Sequence, residues 1–82
     1  MPDNIFRLHY DIDGEDFSVA GEASSNIKKV LKQLGVDPQI VRKVAVATYE
    51  GEINMVIHTD GGTIDVEITP GAIKMALADR GP

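Results

Sequence analysis

Hydrophobic and polar side chains alternate along the first part of the chain, from Ile5 to Ile12. A period of two residues predicts a β-strand with one face in a core. Asp13-Gly14 follows this run and predicts a turn. The next apolar stretch, Phe17 to Ala20, is short enough to be either a second strand or a lead-in to a helix, and both interpretations stay open.

The hydrophobic period changes after Ser24, where apolar residues recur at intervals of three and four. This stripe predicts an amphipathic helix, and it consists of Ile27, Val30, Leu31 and Leu34. Ser24 or Ser25 is the expected N-cap, because a hydroxyl oxygen can accept a hydrogen bond from a free backbone N–H of the first turn. Gly35 is the expected residue after the helix, in the left-handed conformation that glycine tolerates.

A second, longer helix is predicted from Asp37-Pro38 to about His58. Aspartate at the N-cap followed by proline is a start signal, since the missing proline N–H falls where the helix needs none. Only Gly51 weakens the prediction, by roughly 1 kcal/mol relative to alanine. Apolar residues cover most of the circumference of this segment, which indicates a central, buried helix.

A β-hairpin is predicted at the end of the chain. Asp60-Gly61-Gly62 ends the helix, and residues 63–69 and 73–77 then alternate on either side of the turn pair Pro70-Gly71. The predicted order is strand, helix, helix, strand, strand. We therefore expect an α+β fold in which two helices pack on one face of a mixed sheet.

Composition narrows the class of protein. A chain of 82 residues fits one domain, and 43% hydrophobic with 26% charged residues is typical of a folded protein. The net charge of −5 argues against nucleic acid as a partner. The chain has no cysteine and no apolar run of roughly 18 residues. We expect a cytoplasmic protein without a membrane partner.

Polar residues on the long helix are the first candidates for chemistry. Glu50, Asn54 and His58 are four residues apart, which places them in a row along one face. Carboxylate and amide oxygens can hold a hydrated Mg²⁺ ion, and a carboxylate can act as a base. The alternative is a solvated stripe without chemistry, in which His58 only caps the helix or makes a hydrogen bond. Glu52 points elsewhere and is expected to be a surface charge.

Asp79-Arg80-Gly81, at the end of the last predicted strand, forms the second candidate. A carboxylate at a strand end can accept a hydrogen bond from an exocyclic amine, and a nearby glycine lets a flat ring approach the backbone. Taken alone, Asp-x-Gly is little more than a turn.

Together, the two candidate elements form a pattern that resembles one found in a known protein family. The helix end TYEGEINMVIH, a Gly-Gly turn, a hairpin and then LADRGP resemble the N-terminal half of the ATP-binding domain of the anti-sigma factor kinases. These belong with the histidine kinases and the gyrase-type and Hsp90-type ATPases. The resemblance covers residues 5–82, so it implies a histidine-kinase-like ATPase fold for the whole chain.

The resemblance also implies roles for individual residues and a ligand, ATP or ADP with Mg²⁺. Glu50 would activate a nucleophile, Asn54 would coordinate the Mg²⁺ ion on the nucleotide phosphates, and Asp79 would bind the adenine amine. Gly81 would lie at the adenine edge. His58 matches a position where the anti-sigma branch often has histidine. A complete family member would phosphorylate a serine of an antagonist protein and sequester a sigma factor.

The chain departs from the family pattern after Asp79-Arg80-Gly81. It contains no Gly-x-Gly and no lid, so backbone N–H groups to cradle the triphosphate are missing from its 82 residues. We expect a partial domain, truncated before the second glycine-rich motif, that binds nucleotide weakly and has little or no kinase activity. The alternative is a non-catalytic protein-binding or dimerisation module. A two-fold homodimer is expected from the uncovered hairpin edge, and a generic α+β domain remains a third possibility.

Overall fold

The computed structural model describes residues 5–15 and 20–81. It contains five elements: strand β1 (Phe6–Asp13), helix α1 (Glu22–Gln33), helix α2 (Pro38–His58), strand β2 (Gly61–Thr69) and strand β3 (Ala72–Asp79). The predicted α+β class and the order of elements are confirmed. The undecided segment from Phe17 falls outside the described residues, except for Ala20, which lies in the turn before α1.

The sheet has three strands in the order β1-β2-β3, and both pairings are antiparallel. The expected mixed sheet is therefore wrong for the described residues. Asp13 at the end of β1 lies opposite Gly61 at the start of β2, and a hairpin then joins β2 to β3. Neighbouring strands consequently run in opposite directions.

The core lies between the helices and one face of the sheet. Alternate residues of β2 supply the sheet side, because successive side chains point to opposite faces. The buried apolar residues include Ile64, Val66 and Ile68 of β2, Ile27 and Leu31 of α1, and Val41, Val44, Met55 and Val56 of α2. Two residues of the predicted apolar stripe, Ile27 and Leu31, are thus confirmed as fully buried, whereas Val30 is partly buried and Leu34, just after the helix, is 37% exposed.

Helix α2 buries only one side, so the expectation of a helix buried around most of its circumference is wrong. Exposed apolar residues on α2 include Ile40, Val46, Tyr49 and Ile57. The described part of the chain supplies one sheet and one neighbouring helix, and these cover a single face of α2. Among the described residues, no helix is long and apolar enough to cross a lipid bilayer.

The ends of the helices follow the sequence signals in three of four cases. Asp37 accepts a hydrogen bond from the Gln39 N–H at 2.8 Å, with Pro38 in the first turn. Gly35 is left-handed, with φ of 77°, and α2 ends at His58. The exception is the start of α1, where the N-cap is Gly21 rather than Ser24 or Ser25.

Candidate functional site

The predicted row of polar residues lies on the exposed surface of α2, where Glu50, Asn54 and His58 are all accessible to solvent. Gly51 shows which way this side of the helix faces. It lies so close to β3 that a Cβ atom added to it would be 2.1 Å from Leu77 Cδ2. Asn54 and His58 follow Gly51 by three and seven residues and share its face. The row therefore borders β3.

Asp79 lies at the end of β3 and on the same side of the sheet as α2. It is two residues after Leu77 and therefore lies on the same face of the strand, and it pairs with Gly62 of β2. A Cβ atom added to Gly62 would be 3.0 Å from the sulfur of Met55 and 2.8 Å from the Asp79 Cα. The structure thus brings Asp79 to the part of α2 that carries Asn54.

The carboxylate of Asp79 is held in place by the backbone that follows it. The Gly81 N–H donates a hydrogen bond to Asp79 Oδ1 at 3.0 Å, and Gly81 adopts a left-handed conformation with φ of 81°. Asp79 is exposed, so a ligand amine can reach its carboxylate. The Asp-x-Gly element is therefore a turn, as its sequence suggests, and also an accessible, oriented acceptor.

Hydrogen bonds at the corner where α2, β1 and β3 end hold this turn in place. Arg80 donates two of these bonds, and this role was not predicted from the sequence. The Arg80 Nη2 atom donates to the backbone oxygen of Ile12 at 2.8 Å. The Arg80 N–H donates to the Gly61 oxygen at 2.9 Å, and the Asp60 N–H donates to the Gly81 oxygen at 2.8 Å. These bonds join the end of α2 and the ends of β1 and β3.

Glu52 is buried, not a surface charge as its place on the helix suggested. Its side chain is 2% exposed. Its Oε2 and Oε1 atoms accept hydrogen bonds from the N–H groups of Ala23 at 3.2 Å and Ser24 at 3.1 Å. The sequence carried one signal for this burial. Glu52 belongs to a series of residues spaced four positions apart, and the other members, Val44, Thr48 and Val56, are all buried.

The outer face of the sheet carries a second group of polar side chains. His9 Nδ1 lies 2.6 Å from Asp65 Oδ1, and His9 Nε2 lies 3.6 Å from Asp11 Oδ1. The hydrogen bond to Asp65 and the negative charges of both carboxylates raise the pKa of His9. This cluster lies on the face opposite α2, away from Asp79 and the row.

Metal binding at the candidate site would depend on a ligand that brings further oxygens. Across residues 5–15 and 20–81, no three His, Cys, Asp or Glu side chains are grouped to hold a metal ion. Mg²⁺ often takes only one or two protein ligands and completes its shell with water and phosphate oxygens. Asn54 and Glu50 are donors of the type that such an ion accepts.

Comparison of the chain with protein-family models, curated proteins and solved structures finds no match. The resemblance to the anti-sigma factor kinases therefore rests on the residues of α2 and of the end of β3.

Proposed function

We propose that the chain is an ATP-binding domain of the anti-sigma regulatory factor and serine-protein kinase class. The observation that supports this proposal is the meeting of two sequence elements in space. The row on α2 and Asp79 on β3 lie on the same side of the sheet, joined by the contacts of Gly51 with Leu77 and of Gly62 with Met55. A ligand with an amine at one end and phosphates at the other can contact both elements from this side of the sheet.

The adenine end of the proposed site is formed by Asp79 and Gly81. The Gly81 N–H orients the carboxylate of Asp79, which can accept a hydrogen bond from the adenine amine. Within the part of the chain that the structure describes, Gly81 leaves open space beside the backbone, since an added Cβ atom would meet nothing within 4 Å. A flat ring can therefore approach the chain here.

The phosphate end is formed by the exposed side of α2. The Asn54 side-chain oxygen would bind the Mg²⁺ ion that accompanies the nucleotide phosphates. Glu50, one turn earlier, would accept the proton of a serine hydroxyl on a protein substrate as that oxygen attacks. His58 lies one turn beyond Asn54, where it can contact the same ligand. The protein substrate would be an antagonist of the anti-sigma factor, and the partner would be a cytoplasmic sigma factor.

The affinity of the 82-residue chain for nucleotide should be low. The chain contains no Gly-x-Gly sequence, so it lacks the glycine-rich backbone that surrounds phosphates in many nucleotide sites. Asp79 and Asn54 alone provide few contacts, and we expect a Kd on the order of 1 mM. Kinase activity should be slight or absent for the same reason.

A titration with ATP and Mg²⁺, followed by NMR, tests this proposal. The amide signals of residues 79–81 and the side-chain amide of Asn54 should shift, saturating in the millimolar range. Asp79→Asn should remove the shifts at residues 79–81, and Asn54→Ala should remove their dependence on Mg²⁺. Asp11→Asn, which changes an exposed carboxylate on the outer face, is the matched control and should leave binding unchanged.

One outcome would contradict the proposal, and another would contradict only the expected affinity. If no signal near Asp79 moves at saturating concentrations of about 10 mM ATP, the site does not bind nucleotide. If binding saturates in the micromolar range and Asp79→Asn abolishes it, the site is right and the expectation of weak binding is wrong.

A protein-binding or dimerisation module is the second candidate function, and the exposed apolar side chains of β3 favour it. Met75 and Leu77 are 37% and 40% exposed on the helix side of the sheet, and β3, like β1, is an edge strand of the described sheet. Glu50→Ala and Asn54→Ala distinguish the two candidates. Both substitutions should weaken a nucleotide site, whereas association with a protein through β3 should not depend on either side chain.

A further inference from the structure

The start of α1 takes its hydrogen-bond acceptor from another helix. Its N-cap, Gly21, has no side chain, although the first N–H groups of a helix need acceptors from outside the helix. Glu52 of α2 supplies both oxygens, to Ala23 and Ser24. The negative charge also lies where the helix dipole favours an anion.

Glu52 lies on the side of α2 opposite the predicted row. Successive helical residues are about 100° apart, so Glu52 lies about 160° around the helix from both Glu50 and Asn54, which are each two positions away. Gly51 lies between the two sides, next to the row, and touches Leu77 of β3. When Glu52 faces α1, the row must therefore face the region beside β3.

The other contacts between α1 and α2 leave the rotation of α2 less well defined. They include buried aliphatic side chains such as Ile27, Leu31 and Val41, and apolar burial is non-directional. Thr48, also buried on this side, bonds among the described residues only within its own helix, to the oxygens of Val44 and Ala45. Hydrogen bonds depend strongly on angle, and the two from Glu52 join the helices directly.

We propose that Glu52 is a positioning residue that fixes the rotation of α2 about its axis and so holds Glu50, Asn54 and His58 beside β3. The orientation of α2 by Glu52 does not depend on a bound ligand. Its consequence for nucleotide binding rests on the function proposed above. The competing explanation is that Glu52 only stabilises the start of α1 and leaves the rotation of α2 unaffected.

Glu52→Met is the decisive variant, because methionine has similar length and fills the buried site but accepts no comparable hydrogen bond. The reporter is the nuclear Overhauser effect between the Gly51 α protons and the Leu77 methyl groups, which measures the contact of α2 with β3. We expect this signal to be lost or strongly weakened in the variant. The amide protons of Ala23 and Ser24 should move upfield as they lose their charged acceptor.

Thr48→Val is the matched control, since it removes a buried polar group from the same side of α2 without touching α1. Its Gly51 to Leu77 signal should stay at the wild-type strength, even if the protein melts at a lower temperature. If Glu52→Met also keeps the signal while its melting temperature falls, Glu52 is merely stabilising and the proposal is overturned.

Glu52→Gln keeps the test possible if Glu52→Met does not fold. Glutamine retains one acceptor oxygen, so one of the two amide protons should move upfield and the Gly51 to Leu77 signal should weaken. A Gly51 to Leu77 signal of wild-type strength, although one amide proton has moved upfield, would overturn the proposal as well.

A nucleotide titration of the same variants separates this inference from the proposed function. If ATP and Mg²⁺ shift the NMR signals of the wild-type protein, the shifts at Asn54 and Asp79 should be smaller in Glu52→Met than in Thr48→Val. Wild-type nucleotide binding by Glu52→Met would overturn the positioning role. If wild type itself does not respond, the proposed function fails, and the Gly51 to Leu77 signal still decides whether Glu52 orients α2.

Discussion

At the scale of single residues, Glu50 and Glu52 carry the same carboxylate two positions apart but meet different surroundings. Glu50 is exposed, and its charge is stabilised by water. Glu52 is 2% exposed and depends on the N–H groups of Ala23 and Ser24. A buried carboxylate is tolerated only where such donors replace its water.

This difference predicts unequal costs for the same substitution. Glu52→Ala should lower the free energy of unfolding by about 3 kcal/mol, because two helix N–H groups lose a charged acceptor and a cavity forms. Glu50→Ala should change it by no more than about 0.5 kcal/mol. Urea denaturation of both variants measures the two values. Equal effects would show that the Glu52 carboxylate contributes nothing beyond a surface charge.

His9 predicts a dependence of stability on pH. Its hydrogen bond to Asp65, and then the charges of Asp65 and Asp11, raise its pKa above the ordinary value of 6.5. Folding therefore favours the protonated ring. The stabilisation is fully present below about pH 6.5 and is lost as the pH rises through the higher pKa of the folded protein.

Melting temperatures of wild type and His9→Gln at about pH 6 and pH 9 measure this effect. The difference between the two proteins should be larger at the lower pH. Asp65→Asn, which removes the main partner, should bring the pKa of His9 down toward its ordinary value in an NMR titration. A constant difference between wild type and His9→Gln would contradict the linkage.

The sequence predicted local features of the fold better than contacts between distant segments. The Asp37-Pro38 start and the Gly35 end of the helices depend on neighbouring residues, so their signals lie within a few positions. Glu52 bonds to residues 28 and 29 positions away, and periodicity shows burial without showing the partner. The row of Glu50, Asn54 and His58 could be predicted because one helix determines its spacing.

At the scale of elements, the connection between α2 and β2 requires more than a break in the helix. Gly61 has φ of 96°, and an added Cβ atom would lie 2.1 Å from the Ile12 oxygen and 2.8 Å from the Gly14 nitrogen. Both are backbone atoms at or just after the end of β1, and the Ile12 oxygen also accepts the hydrogen bond from Arg80. The Gly-Gly pair predicted a turn, but it could not show that β1 occupies the space beside it.

Gly61→Ala should therefore be among the most damaging small substitutions in the chain. It combines a left-handed conformation with a backbone collision, and it should cost at least about 2 kcal/mol of unfolding free energy. Gly71→Ala is the matched control in the other turn, where an added Cβ atom meets nothing within 4 Å. Its cost should not exceed about 0.5 kcal/mol. Chemical denaturation compares the two, and similar losses would contradict the structural explanation.

At the scale of the whole molecule, apolar side chains remain accessible on both layers. Met75 and Leu77 are exposed on β3, and Tyr49 and Ile57 are exposed on α2. Exposed strand edges and clustered apolar groups favour association. The pattern along the sequence predicted apolar faces correctly, but it did not show how much of each face the described elements would cover.

Self-association is the prediction that follows. Light scattering at about 100 μM should show a dimer, since a micromolar Kd would leave little monomer at that concentration. Met75→Lys should shift the protein toward monomer, because a charge then lies among the exposed apolar groups. Ala76→Lys adds the same charge to the outer face of β3 and should have a smaller effect. A monodisperse wild-type monomer would contradict the prediction.

The pairing of β1 with β2 also sets the order in which the protein can fold during synthesis. Phe6 pairs with Ile68 and Asp13 with Gly61, so the first strand leaves the ribosome long before its neighbour exists. At 5–20 residues per second the delay between paired residues is roughly 2–12 s. The helical pair, which Glu52 completes, is available earlier. We therefore expect the two helices to associate first and the sheet to form only when β2 and β3 emerge as a hairpin.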